Sequence, residues 1–523
     1  MVVAFAWRVH GLTNQSLWRD EVDAVYFALR QLQLTLSMFT DPAQNGPLYF
    51  LTLRPWFHLV GASEFALRYP SALAGALSVA LCYQVARRLT VGTAQPLAPS
   101  TGEDLQPHTP NLPLTNYHLP RSSVPLLAAT FLAFNPYQLW YGQEGKMYAI
   151  IVCLTLLANW FWLNGIAQGG WRPWLAYLVT VSLAIYTHLL MVLLIPFHLI
   201  WFLIAWPQSL HHWRGYGLAL AGLTLPYLPM VWWQWAMLTS AEARTGFTFT
   251  PLRQVLHSLL LSHSRGFLPS DALLPLTPIF FLGLAGLVLG WGELDKAQAD
   301  PPLALPVWRR FLLIVAWLIG PVLAIYILSL RQAVFTERYI IWLAPALMIL
   351  LALGAQVIWH NAGILSKPLS VLLVAYILSF WLYVGWQQKT TSMKYDLRGA
   401  ITYISTRRDP ATLLILQIPH MEYSYRYYSS NFSADWWADS DARLGWWVGG
   451  LWTNGGAPDD RARREVDAQM QQITAGAAEL WVMRSEVEMW DARHLMEEWL
   501  DQHGTVIDQA EFHGAQVRHY QLR

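Results

Sequence analysis

The chain has 523 residues, 55% of them hydrophobic and only 13% charged, where an ordinary soluble domain carries about 25% charged residues. Long apolar runs recur between residues 65 and 386, which excludes a soluble enzyme, a disordered chain and a collagen-like one. The net charge of +1, from 34 basic and 33 acidic residues, leaves no electrostatic footprint for a nucleic acid, and the 29 tryptophans suit a chain whose rings favour the membrane interface.

A membrane-crossing helix needs about 20 mostly apolar residues. The first apolar segment, 1–12, would reach only about 18 Å as a helix. It reads as the end of a span that begins upstream, as a half-span or as an interfacial segment, since no small-residue cleavage pattern follows it. Residues 22–38, with Val22, Val25, Tyr26, Leu29, Leu32 and Leu36 at helical spacing, and residues 46–60 read as amphipathic helices in an outer loop, 13–64. They could lie in the interface or be ordinary surface helices. Spans are expected near 65–86, 122–140, 148–167, 173–187, 189–206, 215–236, 273–291, 311–330, 339–359 and 368–386, with a split at Thr187-His188. Together with the short first segment this makes about 11 transmembrane helices. Threading them puts Lys or Arg in every inner loop, as the positive-inside rule asks, although outer loops hold arginines too. The Pro-rich stretch 91–121 reads as a flexible cytoplasmic linker. Cys82 and Cys153 fall inside apolar runs and read as buried thiols rather than a disulfide.

After Trp386 the composition turns polar. A helix at 397–407, apolar strand-like runs at 412–418 and 480–483 and a helix at 491–503 alternate as in a small α/β domain. The expected organisation is a transmembrane domain over 1–386 and a soluble, extracytoplasmic domain over 387–523. Trp436, Trp437, Trp446, Trp447 and Trp452 in that domain read as packing residues or as a platform for sugars.

Four polar groups stand out, all threaded to the outer face. Ser16-Leu17-Trp18-Arg19-Asp20-Glu21 sets two adjacent acids at a membrane surface. They either bind or move a positive charge or proton, or form a solvated helix start with Asp20 as N-cap and Glu21 in the first turn. Tyr141-Gly142-Gln143-Glu144-Gly145-Lys146-Met147-Tyr148 is a polar turn in which Lys146 could snorkel to headgroups. His188, after Tyr186-Thr187, is a structural helix-end residue or a ligand. With Asp20 and Glu144 it would make a divalent-metal set. Arg331 and Glu337-Arg338-Tyr339 supply guanidinium groups suited to phosphate or to interfacial anchoring.

The order of these motifs resembles the membrane glycosyltransferases of the protein O-mannosyltransferase and lipid A aminoarabinose transferase superfamily, in particular its bacterial members. The resemblance is carried by Ser16 to Glu21, Gly46-Pro47-Leu48-Tyr49, Ser63-Glu64, Ala66-Leu67-Arg68-Tyr69-Pro70-Ser71-Ala72, Gln143 to Tyr148, Tyr186-Thr187-His188, Glu337-Arg338-Tyr339 and Lys394-Tyr395-Asp396-Leu397-Arg398. It implies a GT-C fold, mainly helical, and a polyprenyl-phosphate sugar donor used in a bacterial-type plasma membrane. Asp20 takes the place of the family's essential acid and Glu21 that of the acid often following it. Lys146 stands where Arg is commoner, and Gly46-Pro47 where a Pro-Pro pair is usual.

The resulting expectation is a glycosyltransferase that passes a sugar from the lipid donor to a hydroxyl of a lipid, polysaccharide or protein acceptor, inverting the anomeric centre. Asp20 would act as general base, with Glu21 beside it. Gln143, Glu144, Lys146, Tyr148, Arg331 and Arg338 would bind substrate, and Asp20, Glu144 and His188 would be candidate ligands for a divalent metal. The rival reading is a polytopic lipid or sugar transporter or flippase. Against it, no internal repeat or pair of broken helices is evident in the sequence.

Overall fold

The computed structural model describes residues 1–39, 46–91, 123–228, 231–232, 235, 248–268, 273–296, 303, 305–361, 363–418, 421–429, 444–445, 460–487, 491 and 493–523. The expected linker at 91–121, apart from its first residue, and the tryptophans at 436, 437, 446, 447 and 452 lie outside these residues. The chain divides into two compact units. One comprises Met1–His10, Leu36–Tyr49 and Pro70–Gln387, and the other Gly11–Thr35, Phe50–Tyr69 and Gln388–Arg523. One boundary between the units falls at Gln387–Gln388. The second unit also takes in most of the segment read from sequence as an outer loop.

The first unit is helical. Among the described residues six helices are long and apolar enough to cross a membrane: Glu64–Thr90, Tyr148–Gln168, Leu274–Leu294, Val307–Arg331, Glu337–His360 and Gly363–Thr390. A bent pair, Leu189–Ile204 with Gln208–Thr224 at 119°, raises the number to seven. Several of the other expected spans are short or broken, for specific reasons. The apolar stretch 122–140 is cut at Asn135, where helix Val124–Phe134 stops and helix Pro136–Gly142 begins, because Pro136 has no N–H to continue the ladder. The Asn135 side chain accepts from Gln138 N at 3.1 Å and so caps the new helix. Helix Trp171–Thr187 has only 17 residues, and the predicted split at His188 falls where it ends. The first segment forms one short helix, Val2–Val9. Its buried Arg8 donates to the Leu132 and Ala133 carbonyls at 3.2 and 3.0 Å, groups that the break at Asn135 leaves without helical partners.

Backbone-to-backbone packing holds part of this unit. A Cβ on Gly286 would stand 1.9 Å from the Leu350 carbonyl oxygen, and one on Gly354 would stand 2.0 Å from that of Leu282. Helices Thr277–Lys296 and Ala344–Asn361 therefore touch through a reciprocal pair of glycines, the small-residue packing typical of membrane helices.

In the second unit, the amphipathic stretch at 22–38 forms two helices, Arg19–Leu29 and Leu32–Leu36, and the next forms Leu48–Val60. The C-terminal sheet has the order β2-β1-β3-β5-β4, with β1 Leu413–Leu416, β2 Leu444–Gly445, β3 Glu479–Ser485, β4 Gly504–Phe512 and β5 Ala515–Leu522. Strand β1 runs parallel to β2 and β3, while β5 runs antiparallel to both β3 and β4. Leu413 and Ile415 pack with Leu480 and Val482 against helices Asp460–Thr474 and Leu495–His503. Leu414 and Leu416 pack with Trp481 and Met483 on the opposite face, against helices Leu397–Arg407 and Met421–Ser429. A strand covered on both faces reads as a continuous apolar run, which is why β1 and β3 are visible in the sequence. The β4–β5 hairpin alternates polar and apolar residues and has no such run. It turns at Gly514, whose φ of 68° is left-handed.

Candidate functional site

In the second unit, helix Arg19–Leu29 starts after Trp18, which is extended. Glu21, at the third position, turns its carboxylate back to the Trp18 N–H at 3.4 Å. The N-cap is therefore Trp18 and not Asp20. Asp20 sits within the first turn, partly buried, where the helix dipole favours an anion.

Glu21 is fully buried. Arg68 grips it with two parallel bonds of 2.7 Å, and Lys394 Nζ adds a third contact at 2.8 Å. Burial pushes the Glu21 pKa up, but Arg68 and Lys394 outweigh that and hold it lowered to about 2. The remaining Arg68 hydrogens go to the carbonyls of Leu12, Gln15 and Ser16 at 2.6, 2.8 and 3.0 Å, which uses all five guanidinium donors. Arg398 does the same work next to it. It pairs with Glu64 at 2.8 Å and donates to the carbonyls of Thr13 and Asn14 at 3.2 and 3.3 Å. Every carbonyl from residue 12 to residue 16 thus accepts from one of two arginines. The Leu17 N–H closes the run on Tyr428 Oη at 2.6 Å, and Tyr428 donates to Glu64 at 2.6 Å. The loop that delivers Asp20 is fixed by its backbone.

In the first unit, the turn between helices Pro136–Gly142 and Tyr148–Gln168 buries Glu144 completely. Its fold is held by Lys146 N donating to the Glu144 carbonyl at 2.8 Å and by Ser71 Oγ donating to the Lys146 carbonyl at 2.9 Å. The Arg338 guanidinium lies 5.6 Å from the Tyr148 ring centroid, and Tyr141 is close enough to Glu144 and Arg338 for each to act on its hydroxyl. His188 is 2% exposed. Its ring lies 4.9 Å from that of Tyr339 and 6.2 Å from that of Tyr148, and neither ring nitrogen has a hydrogen-bond partner among the described residues. Burial first, then Arg338 and Lys146, lower its pKa to about 4, so it is neutral at pH 7. Gly46 allows its segment to run against this turn, because a Cβ there would stand 1.9 Å from the Tyr186 carbonyl oxygen.

The first unit therefore gathers Glu144, Lys146, Tyr148, His188 and Arg338. Two expected ligand residues have other tasks. Gln143 spends its amide on the Arg8 and His10 carbonyls at 2.8 and 2.9 Å. Arg331 is exposed at the end of helix Val307–Arg331, where its charge complements the dipole. Among the described residues no three His, Cys, Asp or Glu side chains form a group able to hold a metal. Glu144 and His188 by themselves fall short of a ligand set.

Sequence reasoning missed two features. One is the Arg68–Glu21–Lys394 triad, signalled only by an arginine entering an apolar helix and a lysine opening a polar segment. The other is a line of rings. Tyr148 is 5.0 Å from Tyr141, Tyr141 is 5.0 Å from Tyr137, and Tyr137 is 4.8 Å from His263. His188 and His263 are its two ends.

No protein-family model matches the chain, and no curated protein does. Solved structures do. ArnT from Cupriavidus metallidurans, bound to undecaprenyl phosphate, is 13% identical with a TM-score of 0.55, covering 99% of this chain and 96% of that one. The oligosaccharyltransferase AglB from Archaeoglobus fulgidus, in complex with an inhibitory peptide and a dolichol-phosphate, is 10% identical with a TM-score of 0.52, covering 97% of this chain and 72% of that one. The mycobacterial arabinofuranosyltransferase AftD is 14% identical with a TM-score of 0.51; 99% of this chain matches 41% of it. At these identities the likeness concerns architecture, and by it the chain is a polytopic membrane protein with the GT-C fold.

Proposed function

We propose that this protein is a membrane glycosyltransferase that moves a sugar from a polyprenyl-phosphate donor to a hydroxyl acceptor at the outer face of the membrane. The observation that carries the reading is the division of labour between two adjacent acids. Both Glu21 oxygens are taken by cations and its pKa is held at about 2, which makes it a poor proton acceptor. Asp20 sits next to it on a backbone that cannot drift, which is what a general base needs. The undecaprenyl phosphate on ArnT and the dolichol-phosphate on AglB support a lipid-phosphate donor for a chain of the same fold.

In the proposed step the Asp20 carboxylate takes the proton of the acceptor hydroxyl. The acceptor oxygen forms a bond to the anomeric carbon, and the carbon–oxygen bond to the phosphate breaks with its electron pair leaving on phosphate. A single displacement inverts the anomeric centre. Arg338 and Lys146 neutralise the phosphate as charge develops, and the neutral His188 offers its one N–H donor to the same group. Glu144 and Tyr148 orient the donor. Glu21 is then a positioning residue rather than a catalytic one.

The test is a transfer assay in nanodiscs with radiolabelled undecaprenyl-phosphate hexoses and pentoses, for wild type and Asp20→Asn, with and without chelator. Transfer by wild type and none by a well-folded Asp20→Asn protein is the expected result, and the chelator arm reports whether a divalent ion takes part. Transfer undiminished in Asp20→Asn removes the assigned base. Lipid binding without turnover of any donor in wild type favours a flippase.

A further inference from the structure

His263 ends the line of rings opposite His188, and its tautomer is fixed. Its Nδ1 lies 2.9 Å from the Leu259 carbonyl oxygen. A carbonyl only accepts, so Nδ1 carries the proton and Nε2 is left as a lone-pair acceptor. That nitrogen is buried, on a residue 2% exposed, and has no hydrogen-bond partner among the described residues.

The helix end that carries the ring is pinned, and the ring is held on it by the Leu259 bond. Asn135 Nδ2 donates to the His263 carbonyl at 2.7 Å and Trp381 Nε1 to the Ser264 carbonyl at 2.8 Å. Asn135 is in turn locked as the cap of the next helix. Burial keeps the ring neutral, with its pKa lowered to about 4 against the opposing pull of the Leu259 carbonyl and Glu337.

A buried bare acceptor is costly unless something donates to it. Phosphate at neutral pH is itself an acceptor and would be repelled by this lone pair. On a lipid-phosphate sugar, the groups that donate are the hydroxyls of the sugar. We propose that His263 Nε2 accepts a hydrogen bond from a hydroxyl of the donor sugar. This rests on the lipid-donor reading above. It adds a sugar-recognition residue on helix Leu252–Arg265, outside the motifs that carried the sequence reading.

The experiment compares the full chain in nanodiscs as wild type, His263→Phe and His263→Gln. Equilibrium binding is measured for undecaprenyl phosphate alone and for its hexose- and pentose-charged forms. The best charged lipid should bind His263→Phe about tenfold more weakly than wild type, the worth of one buried hydrogen bond, while binding of uncharged undecaprenyl phosphate stays the same. His263→Gln, which offers an amide oxygen, should recover part of the loss. The inference is overturned if both lipids weaken equally in both variants, if neither weakens, or if wild type binds charged and uncharged lipid alike. Wild type that binds neither lipid overturns the lipid-donor reading itself, and this inference with it.

Discussion

Replacing Glu21 by Gln keeps the shape of the side chain and removes its charge, leaving Arg68 and Lys394, at 2% and 6% side-chain exposure, as buried cations with no anion between them. A carboxylate pKa lowered from 4.5 to about 2 corresponds, at about 1.4 kcal/mol per pH unit, to roughly 3 kcal/mol of stabilisation. That agrees with the ~3–5 kcal/mol lost when one partner of a buried ion pair is removed. The pH dependence has a definite sign. Because the folded pKa is the lower one, the contribution is fully present above the unfolded value of 4.5 and fades as pH falls from there through about 2. Thermal unfolding of the detergent-solubilised protein, followed by tryptophan fluorescence between pH 2 and pH 7, is the assay. Glu21→Gln should unfold several degrees earlier at pH 7 and should lack the part of the acid destabilisation that wild type shows below pH 4.5. A Glu21→Gln protein as stable as wild type at pH 7, with the same acid limb, would refute the argument that this triad holds the loop.

Asp20→Asn, in contrast, should unfold within about 0.5 kcal/mol of wild type while losing transfer, since the residue is only partly buried; a large loss of stability in this variant would make Asp20 structural. Arg398→Ala should cost about 1 kcal/mol, well below Glu21→Gln, because its ion pair with Glu64 is 39% exposed on the arginine side and solvent screens it. The same melting assay ranks the two, and the reverse order would count against the burial argument. Gly286→Ala should destabilise the first unit by roughly 1–3 kcal/mol, read as a lower melting temperature, because the added methyl meets the Leu350 carbonyl and the two helices must part. Unchanged melting would mean that the glycine contact is not tight.

Much of this architecture is legible from residue patterns. Apolar length and helical spacing locate the long spans, and the split at His188 follows from a run too long for one helix. Strands β1 and β3 show as continuous apolar runs because both of their faces are covered. The β4–β5 hairpin is hidden because its alternation is weak and its turn depends on a single left-handed glycine. The motifs mark Asp20 in one unit and Glu144, Lys146 and Arg338 in the other as candidates. They do not tell Asp20 from Glu21, since which carboxylate is gripped depends on Arg68 and Lys394, far away in sequence. His263 could not be recognised, because its meaning lies in which nitrogen holds the proton, and that is set by a backbone carbonyl one turn earlier.

The arginines that secure residues 12–16 contact main-chain oxygens, which every amino acid possesses. Substitution at the exposed position Thr13 should therefore be nearly neutral, whereas deleting or inserting one residue would shift every carbonyl out of step with its guanidinium. The segment is constrained in length throughout and in spelling at Asn14, Gln15 and Ser16, whose side chains donate to the carbonyls of Lys389, Gln388 and Tyr395. For an engineer grafting this loop onto another scaffold, the parts to transplant are Arg68, Arg398 and their two acids, the residue count between Gly11 and Asp20, and the polar side chains of Asn14, Gln15 and Ser16.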